Sequence, residues 1–210
     1  FIELYRVIDS DGLFCLNIDS PKREDGFLSF SCWDLVPYIR AVGFKLVNTL
    51  IWTDKTRRPL TNRLLNHYYE PVFIFAKSRN YSLHKDRVTN KSDMWEIPHY
   101  KGSLTDKGDP FDRSGVASFP VDLAKNLILL GSDKGNWVLD PFIGSGTVMY
   151  SSLELERNCI GIDINRDYCN WTRARCFARK EGLAQKTSFE YLSYNKDTGF
   201  AQIERTLFLG

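Results

Sequence analysis

Residues 138–148 read Val-Leu-Asp-Pro-Phe-Ile-Gly-Ser-Gly-Thr-Val: an apolar strand ending in a carboxylate, a glycine-rich turn, and the start of a helix. No other stretch of the chain restricts its fold as much. Glycines at such a turn let the backbone come close to a ligand at the carboxyl edge of a sheet, where open α/β folds bind. Nineteen residues past Gly144, Asp163 closes the next apolar run, Cys159-Ile160-Gly161-Ile162-Asp163. An acidic residue about 20 positions beyond the turn accepts hydrogen bonds from ribose hydroxyls. The spacing therefore predicts a nucleoside-binding βαβ unit. The ordinary alternative is a strand–turn–helix with incidental glycines.

The turn also bears on which nucleoside. A dinucleotide site asks for G-x-G-x-x-G and a helix N-terminus facing pyrophosphate. Here only Gly144-Ser145-Gly146 is present, and Met149 stands where a third glycine would fall. Asp140 opens the turn with a negative charge, unfavourable beside pyrophosphate and favourable beside an α-ammonium or a sulfonium. S-adenosylmethionine carries both cations, and its adenosine supplies a ribose for Asp163.

Around this unit the apolar pattern alternates between helix and strand. Residues 1–9 and Trp33 to Val42 read as helices; Leu13 to Ile18, Phe44 to Trp52 and Pro71 to Ala76 read as strands. The continuous run Leu13-Phe-Cys-Leu-Asn-Ile18 is that expected of a strand buried on both faces of a parallel sheet. Lys77 to Gly115 is polar and lacks a sustained apolar period, as a functional or disordered insertion does. The α/β pattern then resumes with helices over Val121–Leu130, Thr147–Leu155 and Arg166–Lys180. Strands are predicted over Asn136–Leu139, Cys159–Ile164 and, near the end, Phe189–Leu192.

Charge and cysteine content narrow the class further. The total charge of +2 is uninformative, but residues 51–91 hold nine Lys/Arg against three acids, which leaves −4 for the rest. A basic middle suits a polyanion, with an ordinary solvated face as the alternative. Arg57, Arg58 and Arg63 form a candidate phosphate clamp, joined by Lys85 and Arg87. Trp95 is a candidate for stacking on a base, although a lone tryptophan between polar segments more often anchors local packing. The five scattered cysteines, without Cys-x-x-Cys, fit reduced thiols in the cytoplasm, and three isolated histidines form no metal site. No apolar run nears the ~20 residues of a spanning helix.

Asp140-Pro-Phe-Ile-Gly-Ser-Gly-Thr147 is similar to the cofactor motif of the DNA amino-methyltransferases, which methylate N6 of adenine or N4 of cytosine from S-adenosylmethionine. The resemblance continues through Ser118-Phe119-Pro120-Val121-Asp122-Leu123, which looks like the helix that walls the family's cofactor pocket. Gly161-Ile162-Asp163-Ile164-Asn165 resembles its ribose-binding strand, and Asn66 to Ser78 a strand near the target base. The order matches the circularly permuted β group over about residues 1–180. The resemblance implies a doubly wound, Rossmann-like α/β sheet with an inserted polar target-recognition segment. It implies a catalytic-side half over 1–78, the insert over 79–115, a cofactor half over 116–195 and a tail over 196–210. The cofactor residues it implies are Phe119, Pro120, Leu123, Asp140, Pro141, Phe142, Gly144, Ser145, Gly146, Thr147, Asp163, Ile164 and Asn165.

The family's catalytic motif, Asp/Asn/Ser-Pro-Pro-aromatic, is absent: no Pro-Pro occurs in the 210 residues. The catalytic residues are therefore not identified, and an upstream segment carrying them is expected. The first expectation is a site-specific methyltransferase on double-stranded DNA, in a restriction-modification or phage modification system. It would act by base flipping, without metal or membrane. A homodimer or a partner restriction subunit stays open. The alternative is a non-catalytic subunit that binds S-adenosylmethionine or DNA, and a nicotinamide oxidoreductase rests on fold analogy alone.

Overall fold

Two apolar layers sandwich one sheet, and the sequence of the central strand shows why. The computed structural model describes residues 1–20, 29, 31–54, 68–98, 120–178, 189–194 and 201–206. Strands β1 (Leu13–Asn17), β2 (Lys45–Thr53), β3 (Tyr69–Ala76) and β4 (Met94–Glu96) form a mixed sheet in the order β1-β3-β2-β4. In β3 every residue from Pro71 to Ala76 is buried, because its alternate side chains enter different layers. Phe73 and Phe75 pack with Phe44, Cys32 and Ile39 beneath helices α1 (Ile2–Val7) and α2 (Ser31–Val42). Val72 and Ile74 pack on the other face with Leu50, Trp52, and Leu123 and Leu130 of helix α3 (Val121–Gly131). A strand covered on both faces needs no polar alternation.

β1 obeys the same rule but corrects an expectation. It runs antiparallel to β3, not within a parallel array, and it is only half-buried along its length. Leu13 and Cys15 join the α3 layer while Phe14, Leu16 and Ile18 join the α1–α2 layer. An unbroken apolar run reports two covered faces, and strand direction leaves no trace in it.

The polar stretch expected to be an insert is partly built into the core. Val88, Trp95 and Ile97 are buried in the α3 layer, and β4 pairs parallel with β2. The Trp52 indole N–H donates to the carbonyl of Ile97 at 2.7 Å. Three apolar side chains on one short turn and a three-residue strand give no period to detect. The remainder of that stretch, residues 99–115, lies outside the described residues.

The second half supplies a parallel pair, β5 (Trp137–Asp140) and β6 (Asn158–Gly161), with helix α4 (Thr147–Glu154) between them and α5 (Arg166–Ala178) after β6. Strands β7 (Phe189–Tyr194) and β8 (Ala201–Thr206) form an antiparallel hairpin. Among the described residues no helix is long and apolar enough to cross a membrane.

Phe75 sits at the crossing of the aromatic layer, its ring 5.7 Å from that of Phe14 and 6.3 Å from that of Phe73. Phe75→Ala should destabilise the chain by about 3–5 kcal/mol, read as a lowered urea midpoint with unchanged slope. A loss below 1 kcal/mol would mean that this layer is not the core.

Candidate functional site

β5 delivers Asp140 to the carboxyl edge of the parallel pair, opposite Gly161 of β6. The chain then turns through two left-handed glycines, Gly144 (φ 49°) and Gly146 (φ 80°), the second of which caps α4. A β-carbon on Gly146 would lie 2.7 Å from Thr172, so both backbone freedom and space require glycine there. Gly161 is needed for a different reason: a β-carbon would stand 2.7 Å from Ile143, the buried residue that seats the turn on β6.

The two carboxylates expected from the spacing come together around this turn. Asp163 accepts the N–H of Gly144 at 2.9 Å on one oxygen and that of Asn165 at 2.8 Å on the other. Each oxygen keeps a further lone pair, so the group can still accept hydroxyls. Asp140 accepts the N–H of Phe142 at 3.0 Å. Burial raises its pKa above the ordinary carboxylate range, against the hydrogen bond from Phe142, and the nearby Asp163 charge adds to the rise. Among the described residues no side-chain cation offsets it. Phe142 and Ile164 stand 85% and 95% exposed beside the turn, apolar surface that a planar ring would cover. Such a site suits a ligand with a cation at one end, vicinal hydroxyls in the middle and an aromatic ring.

The other sequence candidates divide. Pro141 flanks Asp140, Ser145 and Thr147 are buried in the turn, and Asn165 receives the N–H of Asp167 at the head of α5. Pro120 is buried and caps α3, while Leu123 is fully enclosed in the core. Trp95 is 3% exposed, with its indole N–H on the carbonyl of Ser92, which is the packing role. Arg87 is held by Asp133 at 2.5 Å and by the carbonyl of Ser132 at 2.9 Å. Lys85 is exposed. Phe119, Arg57, Arg58 and Arg63 lie outside the described residues.

Two side chains that the sequence reading passed over touch the turn from α5: Thr172 donates to the Gly144 carbonyl and Arg175 to the Ser145 carbonyl, each at 3.0 Å. Their only sequence signal is helical spacing, which puts an arginine on the inward face with Thr172 and Cys176. Burial pushes the thiols of Cys15, Cys159 and Cys176 up to about 12, so none is a nucleophile at neutral pH. Among the described residues no cluster of His, Cys, Asp and Glu could hold a metal ion.

Known proteins resemble this chain in sequence and in fold. The sequence model of a family described as DNA methylase matches residues 1–174. The type II methyltransferase M2.DpnII of Streptococcus pneumoniae is 32% identical over 149 residues, covering 66% of this chain and 54% of the relative. The chain spans about half the length of the curated relatives it matches. The PvuII DNA methyltransferase (cytosine-N4-specific) superimposes with a TM-score of 0.68 at 19% identity, over 79% of this chain and 64% of that one. The M1.HpyAVI–SAM complex does so with 0.65 at 19% identity, over 84% and 79%. These structural likenesses show the fold: a Rossmann-like, doubly wound α/β architecture.

The raised Asp140 has a testable sign. Its protonated form adds stability that is present below the ordinary carboxylate range and is lost as pH rises through the elevated folded value. Asp140→Asn should therefore melt about 2–4 °C above the parent at neutral pH without ligand. The gap should close in acid. A gap that widens in acid, or a variant less stable at neutral pH, would refute the assignment.

Proposed function

The chain belongs to the DNA methylase family, and from that premise we propose that it forms the S-adenosylmethionine-binding part of a site-specific DNA amino-methyltransferase of a restriction-modification system. The reaction is methyl transfer to N6 of adenine or N4 of cytosine in double-stranded DNA, in the cytoplasm. The observation that supports this most is the pair of carboxylates at the ends of adjacent parallel strands, with Asp140 half-buried and, among the described residues, unaccompanied by a cation.

Each residue then has a physical task. Asp140 attracts the cationic end of the cofactor, and relief of its own desolvation makes that attraction selective for a positive ligand. Asp163, held by two backbone N–H groups, accepts ribose hydroxyls with its remaining lone pairs. Phe142 and Ile164 cover the adenine ring. Bound S-adenosylmethionine supplies an electrophilic methyl group. The target amino nitrogen is a weak nucleophile because its lone pair is conjugated with the ring, so acceptors must hold its N–H groups while an aromatic stacks on the flipped base. With no Pro-Pro-aromatic sequence in these 210 residues, this proposal takes those acceptors from polypeptide outside them. The DNA phosphates face the basic stretch, including Arg57, Arg58, Arg63 and the exposed Lys85, and target recognition lies in 79–115.

The test incubates the chain with unmethylated DNA and labelled S-adenosylmethionine, then digests to nucleosides for mass spectrometry, with calorimetry of cofactor binding alongside. Label in N6-methyladenine or N4-methylcytosine is the expected product for a chain supplied with its catalytic loop, and it names the base. Asp140→Asn and Asp163→Asn should each weaken cofactor binding at least about tenfold, as loss of a charge-assisted contact does. A parent chain that binds no S-adenosylmethionine overturns the reading. Binding without transfer, even when polypeptide carrying a Pro-Pro-aromatic motif is supplied, would favour the non-catalytic subunit.

A further inference from the structure

The turn that faces the ligand is gripped from behind by α5. Thr172, 3% exposed, donates its hydroxyl to the Gly144 carbonyl at 3.0 Å. Arg175 donates from one guanidinium nitrogen to the Ser145 carbonyl at 3.0 Å and to the Thr147 hydroxyl at 3.2 Å. The guanidinium is itself seated, 5.2 Å over the ring of Tyr150, whose hydroxyl bonds Glu154 one helical turn further along α4. Two helices and the turn between the strands thus meet on one half-buried cation.

The consequence follows from peptide planarity. A trans peptide points its C=O and the next N–H in opposite directions, so fixing one fixes the other. With the Gly144 carbonyl drawn onto Thr172, the N–H of Ser145 is turned away from α5, and it meets no acceptor among the described residues. The Gly144 N–H is fixed on Asp163 and the Gly146 N–H on the Ile143 carbonyl. Without the Thr172 contact the Gly144–Ser145 peptide would be free to rotate, since glycine places little barrier on either φ sign, while Arg175 adds a second hold to the Ser145–Gly146 peptide already tied to Ile143.

We propose that Thr172 and Arg175 are positioning residues for the cofactor: they lock the Gly144 and Ser145 peptides so that the Ser145 N–H and the first turn of α4 present a fixed donor surface beside Asp140. This rests on reading the turn as the S-adenosylmethionine site. Neither side chain touches the ligand; both act through the backbone, which keeps its own sequence unchanged while the supporting helix sets its geometry.

The experiment uses the full chain and two readouts. Thr172→Val keeps the shape and removes the donor, Arg175→Met removes the fork, and Thr172→Ser restores the hydroxyl. Hydrogen exchange of the Gly144 and Gly146 amides in the ligand-free protein reads the lock directly, and calorimetry with S-adenosylmethionine reads its effect on binding. Thr172→Val and Arg175→Met should each speed exchange at those two amides and weaken binding by about tenfold. The core amides of Phe73 and Phe75 should stay protected, and Thr172→Ser should return to the parent on both readouts. Parental binding with unchanged exchange in both variants overturns the proposal while leaving the site reading intact. A parent that fails to bind S-adenosylmethionine removes the site reading, and the proposal with it. Equal acceleration at Phe73 and Phe75 would show a merely structural role and overturns it as well.

Discussion

A half-buried carboxylate at the end of a strand, with no cation beside it among the described residues, is an unfavourable thing to keep, and the second half of the chain is arranged around keeping it. Asp140 could be relieved by a lysine; instead its partners are the Phe142 N–H and a second carboxylate, Asp163. Three backbone N–H groups, from Phe142, Gly144 and Asn165, stabilise the two anions without neutralising them. Only a turn with left-handed glycines can present those donors inward, and only a glycine on β6 lets Ile143 seat that turn close enough. In the proposed reading the unfavourable charge is part of the recognition: the free-energy gain on meeting a cation is larger when the anion starts desolvated.

Much of this was legible in the sequence because it is local. Asp140, Gly144, Gly146 and Asp163 lie on one strand–turn–helix–strand unit, and the nineteen residues from Gly144 to Asp163 suffice to bring the second acid to the same edge as the first. The residues that the sequence placed less well depend on distant partners. Leu123 belongs to the core because α3 lies across β2 and β3, a relation that no local pattern carries. Thr172 and Arg175 are polar residues on a polar helix, and the contacts they make become visible only when α5 is laid against the turn.

The same distinction runs through the fold. Helices and strands were readable from apolar runs, yet β1 and β3 look alike in sequence while running in opposite directions. Sheet direction is a property of connections, and an apolar run records only what covers its faces. The segment around Trp95 shows the converse. Its composition is that of a loop, but Val88, Trp95 and Ile97 suffice to hold it on the sheet, since a few large side chains bury enough area to offset the ordering of a short polar segment.

Charge distribution is where structure most changes the meaning of the sequence. Nine basic residues between 51 and 91 look like one polyanion-facing surface, but two of them are engaged internally. Lys77 donates to the carbonyl of Ile8 and lies 5.0 Å over the ring of Tyr5, fastening α1 to β3. Arg87 reaches the Ser132 carbonyl at the C-terminus of α3, which the buried Arg157 also holds at 2.7 Å. Two cations at a helix C-terminus satisfy orphan carbonyls and complement the dipole there. They also tie the segment after β3 and the approach to β6 to one helix end, so the glycine turn is set relative to the first sheet. Cations held in this way keep little freedom to neutralise phosphates, and the counterion release on binding DNA is correspondingly smaller than nine charges imply. Part of the basic stretch is thus structural, and α3, packed on the first sheet and capped from the second, is the element that it fastens.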